Sequence, residues 1–131
     1  MRIFWSVAVG AAIGGVSRYY LTSLIQQRSG FDFPIGTLFI NITGSFLLGF
    51  LIGYTLRSTA MSTEMRALLT TGFCGGYTTF SAFSLETMLM LNDGKYGRAA
   101  GYVALSVGLA IAATFLGVAA ANRMFLVRAG A

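Results

Sequence analysis

Gly72-Phe-Cys-Gly-Gly-Tyr-Thr-Thr-Phe-Ser81 lies at the centre of a long apolar stretch, Met65 to Leu91. Three glycines and two β-branched threonines in ten residues make a poor helix interior. The pattern predicts a helix that breaks at its middle. Non-helical backbone at membrane depth is tolerated only where protein or a water-filled cavity satisfies its polar groups. A break there frees carbonyls and exposes two half-helix ends, a recurring way to build ion sites in membrane proteins. The competing reading is an intact helix with a small-residue packing face.

Composition places this stretch in a bilayer. Of 131 residues, 56% are hydrophobic and 10% charged, against roughly 25% charged in soluble domains. A small soluble domain has a high surface-to-volume ratio and must coat itself with polar groups, and nine basic plus four acidic residues are too few. This excludes an ordinary soluble domain, a disordered chain and a nucleic-acid binder. The length allows about four or five spans of ~20 residues. The absence of His, with Cys74 the single cysteine, excludes a Cys/His zinc site, an intrachain disulfide and any His-based catalytic dyad or triad. The net charge of +5 comes from scattered side chains. No basic run suggests a polyanion partner.

Four spans are predicted: Ile3 to Ile25, Ile35 to Leu56 after Pro34, Met65 to Leu91, and Arg98 to Leu126. The first has too long an apolar stretch, and no Ala-x-Ala site, for a cleaved signal peptide. Short polar connectors join the spans, so residues 1–131 read as one four-helix transmembrane domain. Ser6, Gly10, Gly14, Arg18 and Thr22 form an i,i+4 stripe on the first span, and Gly49 and Gly53 sit four apart on the second. Small residues at this spacing let helix backbones approach closely in lipid. Arg2, Arg57, Arg66, Arg123 and Arg128 fall at one end of the spans. Arg28, Lys95 and Arg98 fall at the other, with Arg18 buried nearer that end. This is a weak bias under the positive-inside rule. A single orientation and insertion both ways, as in an antiparallel homodimer, stay equally open.

Polar residues inside spans are costly and mark protein or water contacts. Arg18 either snorkels or supplies positive charge at the mouth of an anion path. Thr37, Asn41 and Ser45 share one face of the second span, as anion donors or as interhelical hydrogen bonds. Phe80, Phe83 and Glu86 recur at i,i+3 after the break. Aromatic edges are positive, so the phenylalanines are either ordinary packing or aids to an anion. Glu86 is the only carboxylate well inside a span, and hydroxyls such as Thr87 are its expected partners. Tyr102, Ser106 and Thr114 form a ladder on the fourth span with Ala110 at the missing rung. They are either a hydroxyl track or side chains bonded to their own backbone.

Three segments in this order resemble the Fluc (CrcB-type) fluoride channels of bacteria. They are Gly10, Gly14, Gly15, Arg18 and Tyr19; Gly36 to Gly49 with Asn41 and Ser45; and Thr71 to Glu86. The resemblance covers nearly the whole chain. It implies an all-α integral membrane protein of four transmembrane helices per subunit, the third broken, assembled as an antiparallel dual-topology homodimer with two pores. It implies a fluoride pore at Phe80, Phe83, Asn41, Ser106, Tyr102, Thr114 and Glu86, and a vestibule arginine at Arg18. It further implies a structural Na⁺ at the dimer interface, held by backbone carbonyls of Gly75 and Thr78. Passive fluoride export across the cell (inner) membrane, giving fluoride resistance, is the implied role. Partners are then fluoride, a second copy and the lipid bilayer, with no nucleic acid and no enzymatic reaction. Ala82 and Ala110 stand where the family usually carries hydroxyls. The rival classes are a proton-coupled exporter working through Glu86, which Glu86→Gln would abolish, and an accessory subunit with no flux of its own.

Overall fold

The computed structural model describes residues 1–129, with side chains described as far as Val127. Helix α1 spans Arg2–Ser29 and ends on Gly30, whose φ of 64° supplies the left-handed stop. Helix α2, Ile35–Thr55, starts directly after Pro34. The third segment is composite. Ser62 caps α3, Thr63–Ala67, by accepting from the Met65 amide. The chain then widens into a π-helix, Leu68–Cys74, and closes with one turn, α4, Gly75–Tyr77. Thr78 (φ −83°, ψ 158°) and Thr79 (φ −149°, ψ 111°) are extended, and α5 resumes over Phe80–Asn92. A turn through Gly94 leads to α6, Tyr96–Ala129.

All regular structure among the described residues is helical. Two helices are long and apolar enough to cross a membrane, α2 and α6 over Tyr96–Val127. The other two expected spans differ for visible reasons. At 28 residues, α1 is about 42 Å long, well beyond a ~30 Å hydrocarbon core, but it carries Arg18 within its apolar run. The third segment is divided at Thr78–Thr79, so neither piece alone has the length.

Packing forms two parallel pairs. In one, α1 lies along the upstream half of the third segment: Gly10 faces Leu68 and Phe73, Gly14 faces Phe73 and Tyr77, and Gly76 faces Ala11. In the other, α2 lies along α6, with Gly49 on Thr114 and Gly53 between Val118 and Ala121. Gly36 against Thr22 joins the pairs. The most buried side chains are Thr37 and Ile40 of α2, Tyr102 of α6, and Cys74 on the upstream half of the third segment. The outer faces are apolar, as at Val9, Ile13, Ile111 and Phe115, an extent of exposed hydrocarbon that requires lipid or protein cover. Exposed Trp5 and Tyr96 lie toward helix ends, where amphipathic rings favour the membrane–water boundary.

The α2–α6 contact depends on missing side chains. A methyl group added at Gly49 would strike the Thr114 carbonyl, and one at Gly117 the Phe46 carbonyl. These obstacles are backbone and cannot rotate away. Gly49→Ala or Gly117→Ala should cost about 1–3 kcal/mol through overpacking. Gly15→Ala, which meets nothing within 4 Å, should be neutral or slightly stabilising. Thermal unfolding in detergent, followed by near-UV circular dichroism, separates the two classes.

Candidate functional site

The interruption gathers most of the polar residues singled out above. Thr78 makes the last helical bond of α4, its amide donating to the Cys74 carbonyl at 3.0 Å, and its hydroxyl donates to the same oxygen at 2.9 Å. The next residue leaves the helix for a side chain. The Thr79 amide donates to Asn41 Oδ1 at 2.7 Å, and Asn41 Nδ2 donates to the Thr79 carbonyl at 3.0 Å. Asn41 reaches Thr79 because Gly44, one turn on, lets α2 close onto Thr78 and Tyr77. From the other flank, Arg18 Nε donates to the Gly76 carbonyl at 3.1 Å. Arg18 thus binds a carbonyl next to the break, where the sequence suggested a snorkelling or mouth position. The Thr79 hydroxyl accepts from the Ala82 amide at 3.1 Å and caps α5.

The face of the break nearest α2 and α6 opens into a groove of about 290 Å³. Asn41, Ser45, Thr79, Phe80, Phe83 and Ser106 contribute to its wall. The Phe80 and Phe83 rings lie 5.4 Å apart at 47°. Ser106 is 7% exposed, and among the described residues its hydroxyl has no hydrogen-bond partner. The first amides of α5 begin at the same place. Helix N-terminal amides lack intrahelical partners and carry partial positive charge. The groove therefore collects donors and positive edges, with Ala110 as an apolar wall where a further hydroxyl was absent from the ladder.

Glu86 lies beyond Phe83. The Thr37 hydroxyl donates to Oε1 at 2.6 Å and the Tyr102 hydroxyl to Oε2 at 2.5 Å. Both donors are at most 1% exposed. Thr87, the hydroxyl suggested by adjacency in sequence, instead donates to the Phe83 carbonyl. Glu86 also lines a second cavity of about 350 Å³, which opens between the α1–α2 and α5–α6 connections and includes Thr22, Gln26, Asp32, Asp93 and Lys95. The Glu86–Thr37–Tyr102 cluster thus stands between the two cavities, with Tyr102 packed against Phe83. Thr114 is separate from this set: its hydroxyl bonds the Ala110 carbonyl, the local-backbone alternative. Gly75 is on an exposed face away from the groove, and a side chain there would meet nothing. Thr78 lies beside it and also borders the groove.

At the mouth of the second cavity, Asp32 pairs with Lys95 and Arg98, each at 3.2 Å, and Lys95 pairs with Asp93 at 3.2 Å. This strap between connections was not anticipated from the sequence, although Asp32, Asp93, Lys95 and Arg98 are the charges flanking the two turns. The Lys95 hydrogen bond and charge, aided by Arg98, hold Asp32 below the usual carboxylate range. Asp93 and then Asp32 hold Lys95 above its ordinary value.

Comparison with known proteins places most of the helical region in one family. The family model described as CrcB-like protein, Camphor Resistance (CrcB), matches residues 5–118. A Rhizobium meliloti (strain 1021) protein named fluoride-specific ion channel FluC is 47% identical over 118 residues, covering 90% of this chain and 94% of its own. A Geobacter sulfurreducens protein of the same name is 43% identical over 124 residues, covering 95% of this chain and all of its own. A third, from Aquifex aeolicus, is 40% identical over 117 residues, covering 89% and 94%.

Removing one donor from half-buried Glu86 breaks a hydrogen bond to a charged group. Tyr102→Phe and Thr37→Val should each destabilise by about 1–3 kcal/mol. In a Glu86→Gln background the Tyr102→Phe penalty should change by more than about 0.5 kcal/mol, because the pair is coupled; thermal midpoints of the four proteins give the cycle. At the mouth, depressed Asp32 contributes stability above its ordinary range and loses it as pH falls through its folded value. Raised Lys95 contributes below its ordinary value and loses it as pH climbs through the raised one. The strap is therefore whole across neutral pH. The gap in thermal midpoint between the parent and Asp32→Asn should be small and constant there, and close as pH drops below the carboxylate range.

Proposed function

The chain belongs to the CrcB family, and from that premise we propose that it is a fluoride-selective channel in which F⁻ passes down its gradient along the Asn41–Phe80–Phe83–Ser106 groove, giving fluoride resistance. The observation that carries this reading is the convergence of those four side chains on the N-terminal end of α5. Fluoride is small and strongly hydrated, so a selective path must replace its water with donors. The unpartnered Ser106 hydroxyl is one. The second hydrogen of Asn41 Nδ2 and the first α5 amides are others, and the edges of Phe80 and Phe83 add positive potential. Several weak sites in series let an ion enter and leave.

Glu86 is compatible with an anion path because both its oxygens are already covered by donors. The Tyr102 and Thr37 hydroxyls, their hydrogens committed to Glu86, line the path toward the second cavity, and Thr114, bonded to its own backbone, lies beyond Ala110 on the other side of the groove. Arg18 adds positive charge beside the break. The Lys95 and Arg98 strap keeps the mouth close to neutral despite Asp32 and Asp93.

The channel is an antiparallel homodimer, inserted both ways in the inner membrane, with two pores. Phe80 is 78% exposed in a single copy, and α5 packs chiefly on α6. One wall of the groove is therefore missing, and a second copy supplies it. The weak charge bias between the ends accords with insertion in both orientations. A Na⁺ fits at the centre of this interface. Gly75 lies on an open face, and Thr78 is extended, so its carbonyl lies outside the helical pattern. Carbonyl oxygens of Gly75 and Thr78 from two copies would make an all-oxygen set without a charged ligand, suited to a monovalent hard cation. When bound, the ion supplies positive charge and a link between copies.

Fluoride and chloride efflux from liposomes holding the purified protein tests the reading. Fluoride should leave rapidly and chloride little. Phe80→Ile should lower fluoride efflux at least about tenfold, and Ser106→Ala should lower it less. Absence of fluoride efflux from folded protein overturns the channel. Proton-driven flux abolished by Glu86→Gln would replace it with a coupled exporter.

A further inference from the structure

Nothing in the local backbone compels the third segment to stop where it does. Gly75 is in ordinary right-handed helical geometry (φ −64°, ψ −38°), and among the described residues only Gly30 and Gly94 adopt positive φ. No proline lies near: the sequence has one, Pro34. The threonines favour extended backbone, yet β-branched residues are common in membrane helices, and Thr78 still completes a helical bond to Cys74.

The decisive event is the next bond. In a continuing α-helix the Thr79 amide would donate to the Gly75 carbonyl, four residues back. It donates instead to Asn41 Oδ1 at 2.7 Å, and the Thr79 carbonyl is taken by Asn41 Nδ2 at 3.0 Å. The Asn41 amide acts as a one-residue strand partner, supplying to extended Thr79 the acceptor and donor that a second strand would supply. Thr79 is buried, so each of its backbone groups would cost about 1–3 kcal/mol if left unmatched. Its neighbours in the last turn are claimed: the Cys74 carbonyl by the Thr78 amide and hydroxyl, and the Gly76 carbonyl by Arg18. Between them the Gly75 carbonyl loses its helical donor to Asn41, and no other hydrogen bond reaches it among the described residues.

We infer that Asn41 is a positioning residue that stops the third helix by pairing with Thr79, and that this same pairing releases the Gly75 carbonyl for a cation at the subunit interface while aiming the remaining Asn41 amide hydrogen into the groove. The inference rests on the channel reading for the groove and the cation, but the Asn41–Thr79 pairing stands apart from it. It links two sites on opposite faces of the break through one amide. The direction of the amide is set by its partner, since only Oδ1 can accept from the Thr79 N–H.

The test uses the full-length protein in detergent, with ¹⁵N-threonine labelling and thermal midpoints in sodium chloride against N-methylglucamine chloride. The short bond places the Thr79 amide proton well downfield in the parent, and sodium raises the midpoint. Asn41→Ala should remove the downfield signal and most of the sodium-dependent rise. Phe80→Ile, which should also lower flux, should keep both. Asn41→Asp retains an acceptor for the Thr79 amide and should retain the downfield signal, which carries the test if Asn41→Ala does not fold. An unchanged Thr79 signal in folded Asn41→Ala, or its loss in folded Asn41→Asp, overturns the pairing. A lost signal with undiminished sodium dependence overturns the link to Gly75. A parent with the downfield signal but no sodium-dependent rise or fluoride flux would overturn the link and the channel reading while leaving the pairing intact.

Discussion

Two consecutive residues of extended backbone, Thr78 and Thr79, sit in the middle of an apolar chain, and the rest of the architecture answers the demand they make. In lipid, unmatched amides and carbonyls cost several kcal/mol each, and a helix end brings several at once. The answers come from neighbouring elements. Arg18 of α1 takes the Gly76 carbonyl, Asn41 of α2 takes both backbone groups of Thr79, and Thr79 and Thr78 use their own hydroxyls for the adjoining turns. A side chain can reach across only when the helices are close. Gly10, Gly14 and Gly44, where added methyls would collide with the third segment, provide that approach.

Close packing of small residues and polar contacts at the break are thus one device. The stripe Ser6, Gly10, Gly14, Arg18, Thr22 makes this concrete. Its glycines bring α1 against the π-helix and α4, and one turn further the same face delivers a guanidinium to the last turn before the break. The π-helix over Leu68–Cys74 belongs to the same region. It widens the helix where α1 presses most closely, and such bulges commonly accompany functional positions in helices.

Much of this was legible in the residues. Runs of about 20 apolar residues and short polar connectors give the helices to within a few residues, because hydrocarbon thickness leaves little freedom. Glycine spacing marked the faces that touch. The polar stripe Thr37, Asn41, Ser45 was visible, but its partners were not. Thr37 meets Glu86 from 49 residues away, and Asn41 meets Thr79 from 38. Helical periodicity states which side chains share a face and is silent about which helix that face meets. Adjacency misled for the same reason: Thr87 follows Glu86 in sequence, yet it bonds back to its own helix, as hydroxyls one turn along commonly do. The ladder on α6 divided likewise, with Tyr102 and Ser106 facing the site and Thr114 bonded to its own backbone.

The interruption also sorts charge. The upstream half ends in carbonyls, the negative end of a helix dipole, and the downstream half begins in amides, the positive end. Two residues separate them. Because Thr78 and Thr79 carry the chain sideways, the ends do not cancel head to tail: Gly75 lies on an outer, exposed face, and Phe80 begins α5 beside the groove. On the proposed reading a cation would sit on one side of the break and an anion on the other, with no carboxylate needed for the first and no lysine for the second. That division would let a chain with only thirteen charged residues handle ions at its centre as proposed. It also sets a limit on repair by substitution. A residue that restored helix through Thr79 would join the two ends, return the Gly75 carbonyl to an internal bond and withdraw the α5 amides from the groove in a single step.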